Sequence, residues 1–70
     1  MILLDYIRLD FNEKSKLLWK EGTIVDVQVE KDVVISLFYI YDFFVEVTVS
    51  IDKREVMDII PLMFIIETGL

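Results

Sequence analysis

Residues 23–51 read TIVDVQVEKDVVISLFYIYDFFVEVTVSI, and apolar and polar side chains alternate through most of this stretch. The alternation is clearest at 25–29 and at 43–51. A period of two is typical of a half-buried β-strand. Between these runs, residues 33–40 are apolar almost throughout, as in a strand that is covered on both faces. The pattern therefore predicts three consecutive strands.

The register of these strands depends on their two connections, Lys31-Asp32 and Tyr41-Asp42. With an even number of residues in each loop, the alternating apolar positions of the strands share one face. Loops of two and of four residues fit equally, because neither connection contains the Asn-Gly or Asp-Gly pair of a tight hairpin. The shared face then consists of Val25, Val27, Val29, Val34, Ser36, Phe38, Val45, Val47 and Val49.

The opposite face of the predicted sheet carries apolar residues of the middle strand between polar residues of its neighbours. We call its apolar residues the candidate interface. They are Val33, Ile35, Leu37 and Tyr39, together with Phe44 on the adjoining strand. The flanking polar residues are Asp26, Gln28 and Glu30 on one side and Glu46, Thr48 and Ser50 on the other.

A helix is predicted ahead of the sheet. Asp10, followed three residues later by Glu13, has the form of an N-cap and its reciprocal partner, and Gly22 stands where a left-handed residue ends a helix. These signals bound a helix from about Phe11 to Glu21, and a further helical turn or two is expected from Ile2 to Arg8. The side chains expected to reach the core are Phe11, Leu17 and Leu18, with Leu3, Leu4 and Ile7 from the first segment.

The last part of the chain predicts a short fourth strand. Asp52-Lys53-Arg54-Glu55 is typical of a turn, and a strand near 56–60 follows it until Pro61 ends the strand or confines it to a sheet edge. Residues 59–66 are so apolar that they must be covered. They form either a closing helix that starts at Pro61 or an extended segment against the sheet or a second subunit. Removal of residues 62–70 is expected to destabilise the fold or its assembly.

These patterns predict a single α+β domain over residues 1–70. One N-terminal helix, or two short helices, packs on a three- to four-stranded antiparallel meander. The apolar side of the helix is expected to cover Val25, Val27, Phe38, Val45 and Val47.

The composition restricts the chemistry. The chain has no cysteine and no histidine, which removes Ser-His and Cys-His nucleophilic systems and imidazole or thiolate metal sites. Its two glycines stand alone, so no glycine-rich phosphate loop is present. Asp42 and Glu46 form the nearest carboxylate pair, but alternation on an outward face explains them better than acid–base catalysis. We therefore expect no enzyme, no catalytic residue, no metal and no cofactor.

The charge restricts the partners. The net charge of −6 lies entirely in residues 23–70, where the aromatic cluster around Phe38 to Phe44 also lies. Binding of a phosphate backbone needs Lys and Arg near stacking aromatics, so nucleic acid is not an expected partner. No apolar run reaches the roughly 20 residues of a membrane span, and no basic residue precedes the first apolar run as in a secretory signal. A cytoplasmic protein with no membrane partner is the expectation.

Two functions remain. A domain of 70 residues has a marginal core, and without cysteine or histidine it lacks the usual disulfide or zinc staples. Self-association through the candidate interface, as a homodimer, compensates for this, and a non-enzymatic interaction module is the first hypothesis. The alternative is an acidic inhibitor of the immunity or antitoxin type that binds a basic protein surface. Its candidate acidic contacts are Asp26, Glu30, Glu46 and Asp52.

Two motifs carry a family resemblance. Residues 18–23 read Leu-Trp-Lys-Glu-Gly-Thr, and residues 44–47 read Phe-Val-Glu-Val. With the sequence around them, roughly Asp5 to Ile60, they resemble a family of small uncharacterised bacterial proteins with a Leu-Trp-x-x-Gly-Thr segment and an aromatic-Val-Glu-Val strand. The resemblance implies a compact domain in which a helix precedes a sheet, and it implies no functional residue.

Overall fold

The computed structural model describes residues 1–62. The elements are α1 (Leu3–Ile7), α2 (Phe11–Glu21), β1 (Thr23–Glu30), β2 (Val33–Ile40), β3 (Phe43–Ser50) and β4 (Glu55–Leu62). The four strands form an antiparallel sheet in the order β1-β2-β3-β4, and the two helices pack against it. The predicted α+β fold, with two short helices on a four-stranded meander, is confirmed.

Helix α2 begins where its capping residue predicts. The carboxylate Oδ1 of Asp10 accepts a hydrogen bond of 2.8 Å from the backbone N–H of Glu13, which satisfies one of the free donors of the first turn. The helix ends at Glu21, as predicted. The predicted left-handed conformation of Gly22 is wrong, because its φ of −83° and ψ of 157° are extended. Gly22 is needed there for a different reason, its close contact with Leu18 and Phe38.

Both hairpin loops contain two residues, so the predicted even parity is confirmed. Glu30 pairs with Val33, and Ile40 pairs with Phe43. In each loop the first residue has a positive φ, 48° at Lys31 and 58° at Tyr41. This region costs a non-glycine residue roughly 1–2 kcal/mol. The pairing of the flanking strands offsets that cost, which explains how tight hairpins form without an Asn-Gly or Asp-Gly pair.

A β-bulge changes the predicted register at the start of β1. Ile24 pairs with Phe38 and Asp26 pairs with Leu37, which leaves Val25 as the extra residue. Ile24, and not Val25, therefore takes the place opposite Phe38 on the side of the sheet that faces the helices. We call this side the helix-side face.

The core lies between the helices and the strands β2, β3 and β4. Its buried residues are Tyr6, Leu18, Phe38, Ile40, Phe43, Val45, Val47 and Ile59. The prediction that the helix covers Phe38, Val45 and Val47 is confirmed. Leu18 is buried and Leu3 and Leu17 pack against the core, also as predicted.

Other side chains predicted to reach the core are exposed. Leu4, Ile7 and Phe11 all lie at the surface, and Tyr6 is the buried residue of α1. The prediction that the helix covers Val25 and Val27 is also wrong, because 51% and 50% of these side chains are exposed. The helices lie over the other strands and leave the whole of β1 uncovered.

Pro61 lies within the edge strand β4, opposite Val45, so its predicted confinement to a sheet edge is confirmed. The strand is longer than predicted and includes Leu62, so no closing helix starts at Pro61. The predictions about covering residues 63–66 and about removing residues 62–70 fall largely outside the described residues.

Tyr6 makes the stability of the core depend on pH. Its hydroxyl donates a hydrogen bond of 2.9 Å to the backbone oxygen of Lys14, and its ring centroid lies 5.5 Å from that of Phe43. Burial, with a smaller contribution from Tyr41, raises the pKa of Tyr6 from 10.0 to about 12. Folding therefore favours the protonated phenol, and the stability that this provides below pH 10 is lost as the pH rises towards about 12.

We expect Tyr6→Phe to lose the contribution of Tyr6 to the pH dependence of stability. Below pH 10 this variant should be less stable than the wild type by about 1 kcal/mol, because it lacks the hydrogen bond to Lys14. The difference in unfolding free energy between the two proteins should become smaller above pH 10, because only the wild type has a phenol at this position that ionises on unfolding. Urea unfolding of both proteins at several pH values measures the difference. A constant difference across that range would contradict the role of Tyr6.

Candidate protein-interaction site

The face of the sheet opposite the helices, which we call the outer face, brings together all five residues of the candidate interface. In the middle of the face, Leu37 lies between Asp26 on β1 and Glu46 on β3. Ile35 lies in the same way between Gln28 and Thr48. The remaining members, Val33, Tyr39 and Phe44, occupy positions of the same parity. The predicted arrangement, apolar residues between two polar flanks, is therefore present.

One end of the candidate interface is aromatic. Tyr39 pairs directly with Phe44, and their ring centroids are 5.1 Å apart in a tilted arrangement. Tilted pairs of this kind contribute roughly 0.5–1.5 kcal/mol beyond their buried area. Tyr39 remains 40% exposed, and the other four members are half-buried by their neighbours on the sheet. Within residues 1–62 no helix or strand lies over this face.

The structure adds two residues to the apolar part of the outer face. Ile60 pairs with Glu46, and Leu62 pairs with Phe44. Sequence reasoning gave the fourth strand no face and ended it near residue 60. A bulge at Met57 in β4 shifts the alternation of this strand by one residue. Without that bulge Ile59 would face outward, whereas it is buried in the helix-side core.

Three of the four candidate acidic contacts lie on the outer face. Asp26, Glu30 and Glu46 occupy it together with Glu55 and Asp58, which sequence reasoning did not single out as contacts. Asp52 lies in the turn between β3 and β4, away from the paired rows. The paired positions of this face hold no Lys or Arg in β1, β2, β3 or β4, so the charged side chains of these rows are all acidic.

No group of three or more Asp and Glu residues in 1–62 is placed to hold a metal ion. A shallow depression at the β1–β2 turn is lined only by four consecutive residues, Glu30 to Val33, and so lacks converging polar groups from different elements. None of the helices in residues 1–62 combines the length and the apolar character that a membrane span needs.

Trp19 on α2 is partly packed on the core and partly exposed to solvent. Its ring centroid is 5.4 Å from that of Phe38, so one side of the indole packs on the core. More than half of the side chain, 54%, remains exposed. The indole is therefore accessible to a binding partner while it also contributes to packing on Phe38.

Comparison with protein-family models, with curated proteins and with solved structures found no significant match to this chain. The resemblance to small bacterial proteins stays a prediction, and the functional argument rests on the geometry of the chain.

Proposed function

We propose that this protein is a non-enzymatic interaction module that self-associates, as a homodimer, through its outer face. The observation that carries the proposal is the continuous apolar surface of the candidate interface, which nothing else in residues 1–62 covers. A continuous apolar patch on a small soluble domain is usually buried in an interface. Two-fold pairing buries the same patch on both copies at once.

The free energy gained by burying the candidate interface favours a weak dimer. Full burial of a large apolar side chain contributes about 1.5–3 kcal/mol. Four of the five candidate-interface residues keep no more than about a third of their surface exposed, so each contributes at most about a third as much on association. The sum over two copies is on the order of 10 kcal/mol, which is comparable to the cost of association. Because this gain is at most a few kcal/mol above the cost, the dimer is expected to dissociate on dilution through the millimolar range.

Light scattering over a concentration series tests this association. We expect Leu37→Asp to remain monomeric at concentrations where the wild type is dimeric, because the new carboxylate lies between Asp26 and Glu46. Leu4→Asp is the matched control, since Leu4 is exposed on α1 and should leave the dimer intact. Circular dichroism confirms that both variants fold. A wild type that is monomeric at all concentrations would contradict the proposal.

One observation favours the second candidate function, an acidic inhibitor that binds a basic protein surface. The acids of the outer face are not balanced by any base in the paired strand positions. Complementary charge accelerates and selects the association of such a protein with a basic partner. Self-association would instead bring like charges together.

Salt separates the two functions. Raising salt from about 50 mM to about 500 mM screens the acids of the outer face. A homodimer should become tighter, because its like charges repel less, whereas a complex with a basic protein should become weaker. Sedimentation equilibrium at the two salt concentrations measures the first effect, and a pull-down washed at both concentrations measures the second.

A further inference from the structure

A second uncovered surface lies along β1, at the edge of the sheet. In the described part of the chain, β1 pairs only with β2, so its other side is a free edge. All eight of its residues are exposed, including Ile24, Val27 and Val29 on the helix-side face. An edge strand presents unpaired backbone N–H and C=O groups, which are the template for adding another strand.

The two edges of the sheet differ in how well they are protected. The β4 edge contains Pro61, which has no backbone donor, and a bulge at Met57 in mid-strand, and both helices contact this strand. The bulge of β1 lies at Val25, so Asp26 to Glu30 keep a regular alternation. Prolines and bulges are common means of preventing further pairing. The β1 edge is therefore the one that is open to a further strand.

The side chains of β1 restrict what such a strand contains. Asp26 and Glu30 lie on the outer face, Val27 and Val29 lie on the helix-side face, and β1 contains no basic residue. Opposite charges across neighbouring strands stabilise a sheet, and like charges destabilise it. A second copy of β1 would bring two more acids to this edge, whereas a strand with basic residues on the outer face complements it.

We propose that the β1 edge binds an extended segment of another protein in which apolar residues alternate with Lys or Arg. The segment adds to the sheet as a fifth strand through backbone hydrogen bonds. Its apolar residues pack beside Val27 and Val29, and its basic residues lie beside Asp26 and Glu30. This site uses the strand edge and the helix-side valines, so it does not rest on self-association through the outer face.

Trp19 provides a reporter at this site. It is the single tryptophan of the chain, and it is largely exposed while packed on Phe38. Phe38 pairs with Ile24, at the start of the β1 edge. A strand that packs on the helix-side residues of β1 should therefore change the fluorescence of Trp19.

The probe is a peptide as long as β1, eight residues, of alternating lysine and valine with blocked ends, titrated into the full chain. We expect a saturable change in Trp19 fluorescence and amide chemical-shift changes that are largest in residues 23–30. Two control peptides should bind at least about tenfold more weakly than the probe. One has the same composition with its lysines and valines in two separate blocks, and the other alternates glutamate and valine. Equal binding of the block peptide would overturn the proposal.

Two lysine variants localise the site. Val27→Lys places a charge on the helix-side face of β1 and should weaken peptide binding by about tenfold. Met57→Lys adds the same charge at an exposed position of the other edge strand and should change the affinity less than about twofold.

Amide chemical-shift changes centred on the outer face of β2 and β3 would overturn the proposal. Hydrogen exchange without peptide gives a second test. If the protection of the β1 amides increased with protein concentration, a second copy would occupy the edge, and the proposal would be overturned.

Discussion

Leu18→Ala is expected to lower the free energy of unfolding by about 3 kcal/mol, within the usual range of about 2–5 kcal/mol for a buried leucine. Leu18 is fully buried and is the residue through which α2 enters the helix-side core. The other buried residues of that core come from β2, β3 and β4, with Tyr6 from α1, so the cavity left by truncation lies between the helices and the sheet. The loss of unfolding free energy is expected near the lower part of the range, because two short helices can move to fill part of the cavity. Urea unfolding monitored by circular dichroism measures the loss.

Leu4→Ala is the matched control for this prediction. It removes the same atoms from a helix of the same protein, but 55% of Leu4 is exposed. The expected change is within about 0.5 kcal/mol, as for most surface substitutions. Equal losses in the two variants would mean that Leu4 is buried in solution, as the sequence predicted, and that α1 is rotated from its described position.

The parts of the fold that could be predicted from the sequence are those set by local signals. The Asp10 cap and the composition of 11–21 define α2 whatever the rest of the chain does. The two-residue connections then place β2 and β3 in a register that alternation alone specifies, because a slip by one residue would expose every buried side chain. The candidate interface follows directly from that register.

The bulges could not be predicted in this way. An extra residue at Val25 or at Met57 reverses the face of every residue beyond it, and neither position carries a glycine that would mark a bulge. Val25 was therefore assigned to the helix-side face in place of Ile24, and Ile60 was assigned to no face. The core contacts favour the bulged register of β4, because it turns Ile59 towards the helices and Ile60 outward.

The part of the sheet that the helices cover is also a tertiary property. A helix is about 10 Å wide and rises about 1.5 Å per residue, so α2 and α1 extend about 16 Å and about 8 Å, whereas strands of eight residues are about 26 Å long. One helix of 11 residues and one of 5 therefore leave part of a four-stranded sheet uncovered. The valines of β1 have the same alternation as those of β3, so their exposure is invisible in the sequence. The β1 edge was for this reason absent from the sequence-based hypotheses.

Gly22→Ala is expected to lower the free energy of unfolding by about 2–3 kcal/mol. A Cβ atom built on Gly22 would lie 2.6 Å from the backbone oxygen of Leu18 and 3.1 Å from Cδ2 of Phe38. The first of these neighbours is a helix carbonyl, which also accepts the hydrogen bond from the Gly22 amide at 2.9 Å. It cannot move away without opening the last turn of α2. The smaller chain entropy of unfolded alanine, about 0.4–1 kcal/mol, offsets only part of this cost.

Gly22→Asn distinguishes this close contact from the left-handed cap that the sequence predicted. Asparagine tolerates a left-handed conformation better than alanine, so a left-handed cap would make Gly22→Asn the more stable variant. With the observed φ of −83°, asparagine gains nothing from that tolerance and brings the same Cβ with a larger side chain. We therefore expect Gly22→Asn to be no more stable than Gly22→Ala. The control is Glu21→Ala, at an exposed neighbouring position, and its stability should be close to that of the wild type. Thermal unfolding of the three variants measures this order. If Gly22→Asn proved clearly more stable than Gly22→Ala, the helix would end in a left-handed residue and the space between Leu18 and Phe38 would not be the reason for the glycine.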